Sequence, residues 1–235
     1  MPAVLITGAN RGIGLEHARQ YAGQGWQVHA CARSLATAEK LQQLAAEYPD
    51  SVVLHTLDVT DYAAVDALAA TLATTPIDIL LNNAGTFGPK GAPEGMAYQS
   101  LENMDYGLWR TMLEVNLLAP FKVATAFRSN LLAGSQRLLV MMSSDLGSIA
   151  NNHGHSYSYR SSKAGLNMLT KGMASEWPEL IVVSIAPGWC KTELGGSDAP
   201  IDPVDSVREQ QALFANLPAE QSGHFVDRFG DQVAW

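Results

Sequence analysis

The fold is read from A-V-L-I-T-G-A-N-R-G-I-G, residues 3–14. Its first five residues form an apolar run closed by glycine, which suits a short strand buried on both faces. Gly8, Gly12 and Gly14 follow and lead into an amphipathic segment over residues 13–22. Strand, glycine turn and helix in that order offer free backbone N–H groups at a helix N-terminus, where they face an anion such as a pyrophosphate. The glycines let the chain turn tightly and let its backbone approach the phosphates. An ordinary glycine-rich turn has the same composition, so the rest of the chain decides between the two.

The same rhythm recurs downstream. Residues 26–32, W-Q-V-H-A-C-A, read as a second strand, and Arg33 follows at once. In a dinucleotide fold a carboxylate near this point takes the ribose 2′-hydroxyl, whereas an arginine accommodates a 2′-phosphate. No carboxylate stands here, and Arg11 in the glycine loop offers a second positive group. The pattern therefore favours NADP(H), with NAD(H) as the other option; the plain reading of Arg33 is a solvated loop residue. Residues 35–48 show helical spacing through Leu35, Ala38, Leu41, Leu44 and Ala45, and Pro49 marks the end. A third strand over 51–57 runs into Asp58-Val59-Thr60. An aspartate there lies at the ligand edge of a parallel sheet and can accept from an adenine amine. A helix over 61–72 and a fourth strand over 77–81 lead to Asn82-Asn83-Ala84-Gly85. Successive strand–helix units imply right-handed crossovers and a parallel sheet.

Residues 87–104 break the pattern with Pro89, Pro93, Gly88, Gly91 and Gly95. A loop of this length after a strand is more often functional than structural. A long helical pattern over 104–132 then passes through Asn116 and Pro120. Proline has no N–H for the carbonyl four residues back, which belongs to Asn116. Either the helix kinks there, or the freed carbonyl forms a water site. A fifth strand over 136–142 meets Ser143-Ser144, a helix covers 158–177, and a sixth strand over 180–186 meets P-G-W-C-K-T at 187–192. Residues 195–204 read as loop, 207–217 as helix and 224–229 as a last strand.

Tyr159 and Lys163 are four residues apart, which stacks their side chains on one helical face. A lysine ammonium favours the phenolate and lowers a phenol pKa from its ordinary value of about 10. Such a tyrosine can exchange a proton with an alcohol or carbonyl oxygen. Taken alone, the spacing also fits a solvated helix.

Composition bounds the class. The chain has 235 residues, 47% hydrophobic and 16% charged, and no linker, repeat or low-complexity tract divides it, so one domain over residues 1–235 is expected. A net charge of −8 argues against a general nucleic-acid binder. No apolar run is long enough to span a bilayer, and no signal-peptide pattern opens the chain. Cys31 and Cys190 fit no metal spacing and read as free thiols in a reducing cytoplasm. No metal ligand set is expected.

Assembled, these residues resemble the short-chain dehydrogenase/reductase family over essentially the whole length. Its markers occur in family order: T-G-A-N-R-G-I-G (7–14), D-V-T (58–60), N-N-A-G (82–85), Asn116, Ser144, Y-R-S-S-K (159–163) and P-G-W-C-K-T (187–192). The turn after the sixth strand and the tail G-H-F-V-D-R-F-G look like the C-factor/sniffer carbonyl-reductase-like branch. The resemblance implies a single-domain Rossmann fold, a doubly wound parallel sheet of seven strands in the order 3-2-1-4-5-6-7. It implies hydride transfer between a nicotinamide and an alcohol or carbonyl. Tyr159 is then the general acid/base, Lys163 lowers its pKa and bonds the nicotinamide ribose, and Ser144 holds the substrate oxygen. Asn116 positions a water in the proton relay.

The coenzyme contacts implied are Gly8, Asn10, Arg11, Gly12, Ile13 and Gly14 in the first loop, and Arg33, Asp58 and Val59 on the adenosine side. Asn82, Ala84 and Gly85 follow, then Tyr159 and Lys163, and finally Pro187, Gly188, Cys190 and Thr192. Ser143 adjoins Ser144 and competes for its role. Tyr157 has no lysine four residues on. Cys190 stands where the family has an aliphatic residue, and contact there runs through the backbone. By family analogy the chain forms a homodimer or homotetramer through the long helix and the Tyr159 helix.

Other readings are weaker. A non-enzymatic NADP(H)-binding regulator would keep the fold but has no need of an intact Ser–Tyr–Lys set. A sugar-nucleotide epimerase needs a larger C-terminal region. A serine hydrolase lacks G-x-S-x-G around Ser143 and Ser144. His153 and His155 have no convincing third ligand and read as polar loop residues. Phe87, Trp189 and Leu194 point to a hydrophobic carbonyl substrate.

Overall fold

Each apolar run becomes a strand of one sheet. The computed structural model describes residues 1–89, 91–92 and 94–235. Pro93, one of the residues read as breaking the loop over 87–104, lies outside the described residues, as does Lys90. The strands are β1 (Ala3–Thr7), β2 (Gln27–Ala32), β3 (Val52–Thr56), β4 (Ile79–Asn82), β5 (Leu138–Met142), β6 (Ile181–Ala186) and β7 (Phe225–Asp227). They form a seven-stranded sheet in the order β3-β2-β1-β4-β5-β6-β7, with every pair parallel. The chain reverses direction across the sheet between β1 and β4, so the loops after these strands flank the crevice where a doubly wound sheet binds its ligand.

Side chains alternate across each strand, which explains why both faces had to be apolar. Val4 and Ile6 point into one layer with Val28, Ala30, Val140 and Ile185. That layer is covered by α1 (Gly12–Gly23), α2 (Glu39–Glu47) and α8 (Pro203–Ala215) through Leu15, Tyr21, Leu41, Leu44 and Phe214. Leu5, Leu80, Leu139 and Val182 point into the other. There α3 (Tyr62–Thr71), α5 (Ala119–Ala126) and α7 (Tyr157–Glu176) contribute Val65, Val123, Leu166 and Met173. Truncating one of these fully buried leucines to alanine costs about 2–5 kcal/mol. Among the described residues no helix is long and apolar enough to cross a membrane.

Two segments depart from the sequence reading. The pattern over 104–132 is not one helix. It divides into α4 (Tyr106–Leu113), a π-helical turn (Glu114–Leu118), α5 and α6 (Arg128–Ala133). In the π turn the Ala119 N–H reaches back five residues to the Glu114 carbonyl. Pro120 lies in the first turn of α5, directly after the π turn, and has no N–H to give the Asn116 carbonyl. The widened turn thus accommodates the proline, and it sits where π turns recur, at functional positions. The loop read over 195–204 also ends early: Asp202 accepts the Val204 N–H and Pro203 opens α8. Asp followed by Pro is a helix N-terminus signal.

Candidate active site

The first loop acts through its backbone. Gly8 and Gly12 have φ of 67° and 55°, in the left-handed region that favours glycine. Gly14 is required by space: a Cβ there would lie 2.4 Å from both Gly8 O and Asn83 Nδ2. The N-N-A-G segment holds this loop in place. Thr7 Oγ1 accepts the N–H groups of Asn83 and Ala84 at 3.1 and 3.0 Å, and Asn83 Nδ2 donates to the carbonyls of Thr7 and Gly8 at 2.9 and 3.1 Å. Asn82 turns the other way, donating to Pro120 O at 3.0 Å, and so ties β4 to α5. Helix α1 begins after Arg11, which supplies no side-chain cap, and no acidic residue occupies its first turn. Asn10 and Ile13 are half-buried beside it. A helix start without a side-chain acceptor, approached through glycines, fits a dinucleotide pyrophosphate.

Beyond the ends of β2 and β3, Arg33 lies near Asp58. Together with Thr60, Arg110, Thr111, Glu114 and Val115 they line an open cleft of about 400 Å³. Burial alone would raise the Asp58 pKa, but bonds from the Thr60 hydroxyl and N–H, with the nearby Arg33, bring it below the ordinary carboxylate value. Those bonds are 2.7 and 3.0 Å. Val59, which follows, is buried. Arg11 does not reach this cleft. Its guanidinium pairs with Glu193, both groups being largely exposed. The second arginine here is Arg110 of α4, which the sequence reading did not single out.

Ser143 and Ser144 diverge after β5. Ser143 Oγ is buried and donates to Asn167 Oδ1 at 2.7 Å. Ser144 Oγ accepts the Leu146 N–H and lies near enough to the Tyr159 phenol to act on its pKa. Tyr159 is buried, with its ring 4.8 Å from that of Phe87. Phe87 is itself buried and packs on the tyrosine. Lys163 is buried too: its Nζ donates to Met142 O at 2.7 Å and lies 5.6 Å from the Tyr159 ring centroid. A Cβ on Gly85 would be 3.7 Å from that Nζ.

Burial pushes the Tyr159 phenol up to about 12, and the nearby Ser144 hydroxyl pulls it partly back. Burial also brings the Lys163 amine down to about 8. The net direction on the phenol is upward, the reverse of what a neighbouring ammonium alone would produce, because burial disfavours the phenolate. At neutral pH the phenol keeps its proton.

Asn116 sits in the π turn and brackets Thr86. Its Oδ1 accepts the Thr86 N–H at 2.8 Å, and its Nδ2 donates to Thr86 O at 2.9 Å and to Ser162 Oγ at 3.1 Å. With its side chain committed in this way, only its backbone is left to serve a proton relay.

The segment after β6 covers the glycine loop. A Cβ on Gly12 would lie 3.3 Å from Thr192 Cγ2, and Thr192 Oγ1 accepts the Gly195 N–H at 3.1 Å. Gly188 has φ of 80°. Cys190 is buried near Pro187 O, and burial raises its thiol pKa. Trp189 and Leu194 are partly exposed, and the Ala92 N–H donates to Leu194 O at 3.0 Å, so the loops after β4 and β6 touch. His153 and His155 stay on an exposed loop. Besides Arg110, the residues not anticipated are Thr7, Asn83, Asn167 and Gln99. Of these Thr7 and Asn83 carried a visible signal, as the first residue of T-G-A-N-R-G-I-G and the second asparagine of N-N-A-G.

A family model described as short chain dehydrogenase matches residues 2–200. The protein named C-signal from Myxococcus xanthus is 36% identical over 172 residues, covering 72% of this chain and 99% of that protein. The carbonyl reductase Sniffer of D. melanogaster is similar over all of both chains, with 31% identity and a TM-score of 0.90. An NADPH-bound carbonyl reductase from chicken fatty liver matches over 100% of this chain and 99% of its own, with 30% identity and a TM-score of 0.89.

Proposed function

The chain belongs to the short-chain dehydrogenase family and is an NAD(P)-dependent oxidoreductase, and from that premise we propose that it reduces a carbonyl to an alcohol with NADPH, Tyr159 supplying the proton. The observation that carries this reading is the buried Tyr159, with Ser144 beside its phenol and its ring 5.6 Å from the Lys163 ammonium. Gly8, Gly12, Ile13 and Gly14 would hold the coenzyme pyrophosphate, Arg33 and Asp58 its adenosine end, and Lys163 with the segment from Pro187 to Thr192 its nicotinamide half. When bound, the coenzyme supplies the hydride.

Everything else falls to side chains of the protein. Tyr159 donates its proton to the carbonyl oxygen, and a phenol protonated at neutral pH is in the right form to do so. Ser144, already beside that phenol, donates a hydrogen bond to the same oxygen as negative charge develops. The Lys163 cation stabilises the phenolate left behind. The Asn116 backbone positions a water through which the phenol regains its proton. NADP(H) is preferred over NAD(H) because Arg33 follows β2 at once and no carboxylate stands at that strand's end, and NADPH is bound in the chicken reductase.

The likeness to C-signal supports a second reading, a regulatory protein that binds NADP(H) without turnover. Screening aldehydes, ketones and quinones for NADPH oxidation separates the two. Turnover of any carbonyl supports the enzyme, and coenzyme binding with no turnover across the screen supports the regulator. The substrate class expected is hydrophobic, given the part-exposed Trp189 and Leu194 near the site. Two buried free thiols suit a cytoplasmic setting. Exposed Leu118 and Phe121 near the π turn and Met168 on α7 support pairing of these helices in a dimer or tetramer; a monomer by light scattering at micromolar concentration would contradict that.

A further inference from the structure

Helix α7 begins without a cap of its own. Gly154, His155 and Ser156 have φ of 87°, 57° and 50°. Ser156, at the cap position, is therefore left-handed rather than extended, and its side chain makes no capping bond. The first N–H groups of a helix need acceptors from outside it. Here they come from one residue some sixty positions earlier. Gln99 O accepts the Tyr157 N–H at 3.1 Å, and Gln99 Oε1 accepts the Tyr159 N–H at 3.0 Å and the Ser158 hydroxyl at 2.7 Å.

The other half of the same amide faces the opposite way. Gln99 Nε2 donates to Phe87 O and Gly95 O, both at 3.1 Å, and so fixes the loop over 87–104. Phe87 in turn packs its ring on the ring of Tyr159. Gln99 is wholly buried. Its amide thus holds Tyr159 from two directions, by the backbone at the helix start and by the ring through Phe87. A buried amide with both ends satisfied has one preferred orientation, and leaving either end unmade is costly.

We propose that Gln99 is a positioning residue for the proton donor, coupling the loop that borders the site to the placement of the Tyr159 phenol against Ser144. The proposal rests on the reading of Tyr159 as the acid. A glutamine suits the place because its neutral amide accepts from α7 and donates to the loop at once at any pH. Methionine of similar length does neither. A glutamate does both only when protonated.

The test compares wild type, Gln99→Met and Gln99→Glu, using NADPH and benzaldehyde or the best carbonyl from the screen. Three quantities are read: coenzyme affinity by fluorescence titration, kcat against pH, and amide exchange over residues 157–160. Gln99→Met should lower kcat by roughly 10- to 100-fold, as small misplacements of reacting groups do, while NADPH affinity stays within about threefold of wild type on the same scale. Gln99→Glu should regain turnover relative to wild type as pH is lowered, since its protonated carboxyl can again donate to Phe87 O or Gly95 O, so that the ratio of the two kcat values rises toward acid. Gln99→Met should lose amide protection at Tyr159 and keep it elsewhere, whereas Gln99→Glu, whose carboxyl oxygen still accepts the Tyr159 N–H, should keep it throughout. A Gln99→Met protein with kcat near wild type, or one that loses coenzyme affinity in step with kcat, would overturn the proposal. If Gln99→Met does not fold, a Gln99→Glu profile parallel to wild type overturns it instead. Should wild type reduce no carbonyl, the reading of function fails on its own, and amide exchange still decides whether Gln99 holds the helix.

Discussion

The glycine loop after β1 and the Ser144–Tyr159–Lys163 corner after β5 lie along the same edge of one parallel sheet, yet they are built from opposite materials. The loop is made of backbone. Its glycines have φ values or clearances that exclude a side chain, and asparagine and threonine bonds from the end of β4 hold it. The corner is made of buried side chains whose ionisation burial has moved, the phenol up to about 12 and the amine down to about 8. A backbone site needs room and free N–H groups and binds a partner it does not change. A side-chain site needs burial and exact neighbours, because moving a proton depends on how strongly each charge state is disfavoured.

That difference can be broken in two ways on the loop side. Adding a methyl at Gly14 sets a Cβ 2.4 Å from Gly8 O and Asn83 Nδ2, an overpacking worth about 1–3 kcal/mol. Gly14→Ala should therefore weaken NADPH binding by roughly 10- to 100-fold and leave Tyr159 and Lys163 untouched, as titration by fluorescence quenching would show. Wild-type affinity in that variant would mean the loop is not the backbone device described. Arg33→Ala is the smaller perturbation. Loss of a charge-assisted bond should cost NADPH about one order of magnitude and NADH almost nothing. Equal losses for the two coenzymes would remove the arginine from coenzyme choice.

The contrast also accounts for what the sequence made legible. Glycine spacing, apolar strand runs and the order of short motifs are local signals, and they located every strand of the sheet to within two residues at most ends. The Tyr159–Lys163 pair was visible because both residues share one helix. Which serine faces the phenol was open until β5 was seen to send Ser143 to Asn167 and Ser144 to Tyr159. The π turn was hidden because Pro120 reports a missing N–H and not how the ladder adjusts around it. Gln99 carried no signal at all, since an isolated glutamine in a loop acquires meaning only from helix α7, some sixty residues on. The direction of the Tyr159 shift was missed for the same reason: spacing shows the neighbouring cation but not the depth of burial.

The corner moves the proton, and the loop supplies the larger share of the hold on the coenzyme, to which the corner adds Lys163. Tyr159→Phe removes one oxygen from the corner and nothing from the loop. The account predicts that single-turnover carbonyl reduction by the NADPH-loaded variant falls by roughly two to four orders of magnitude, with NADPH affinity unchanged in the same sample. Reduction at the wild-type rate, or a loss of coenzyme affinity that matches the loss of rate, would contradict it.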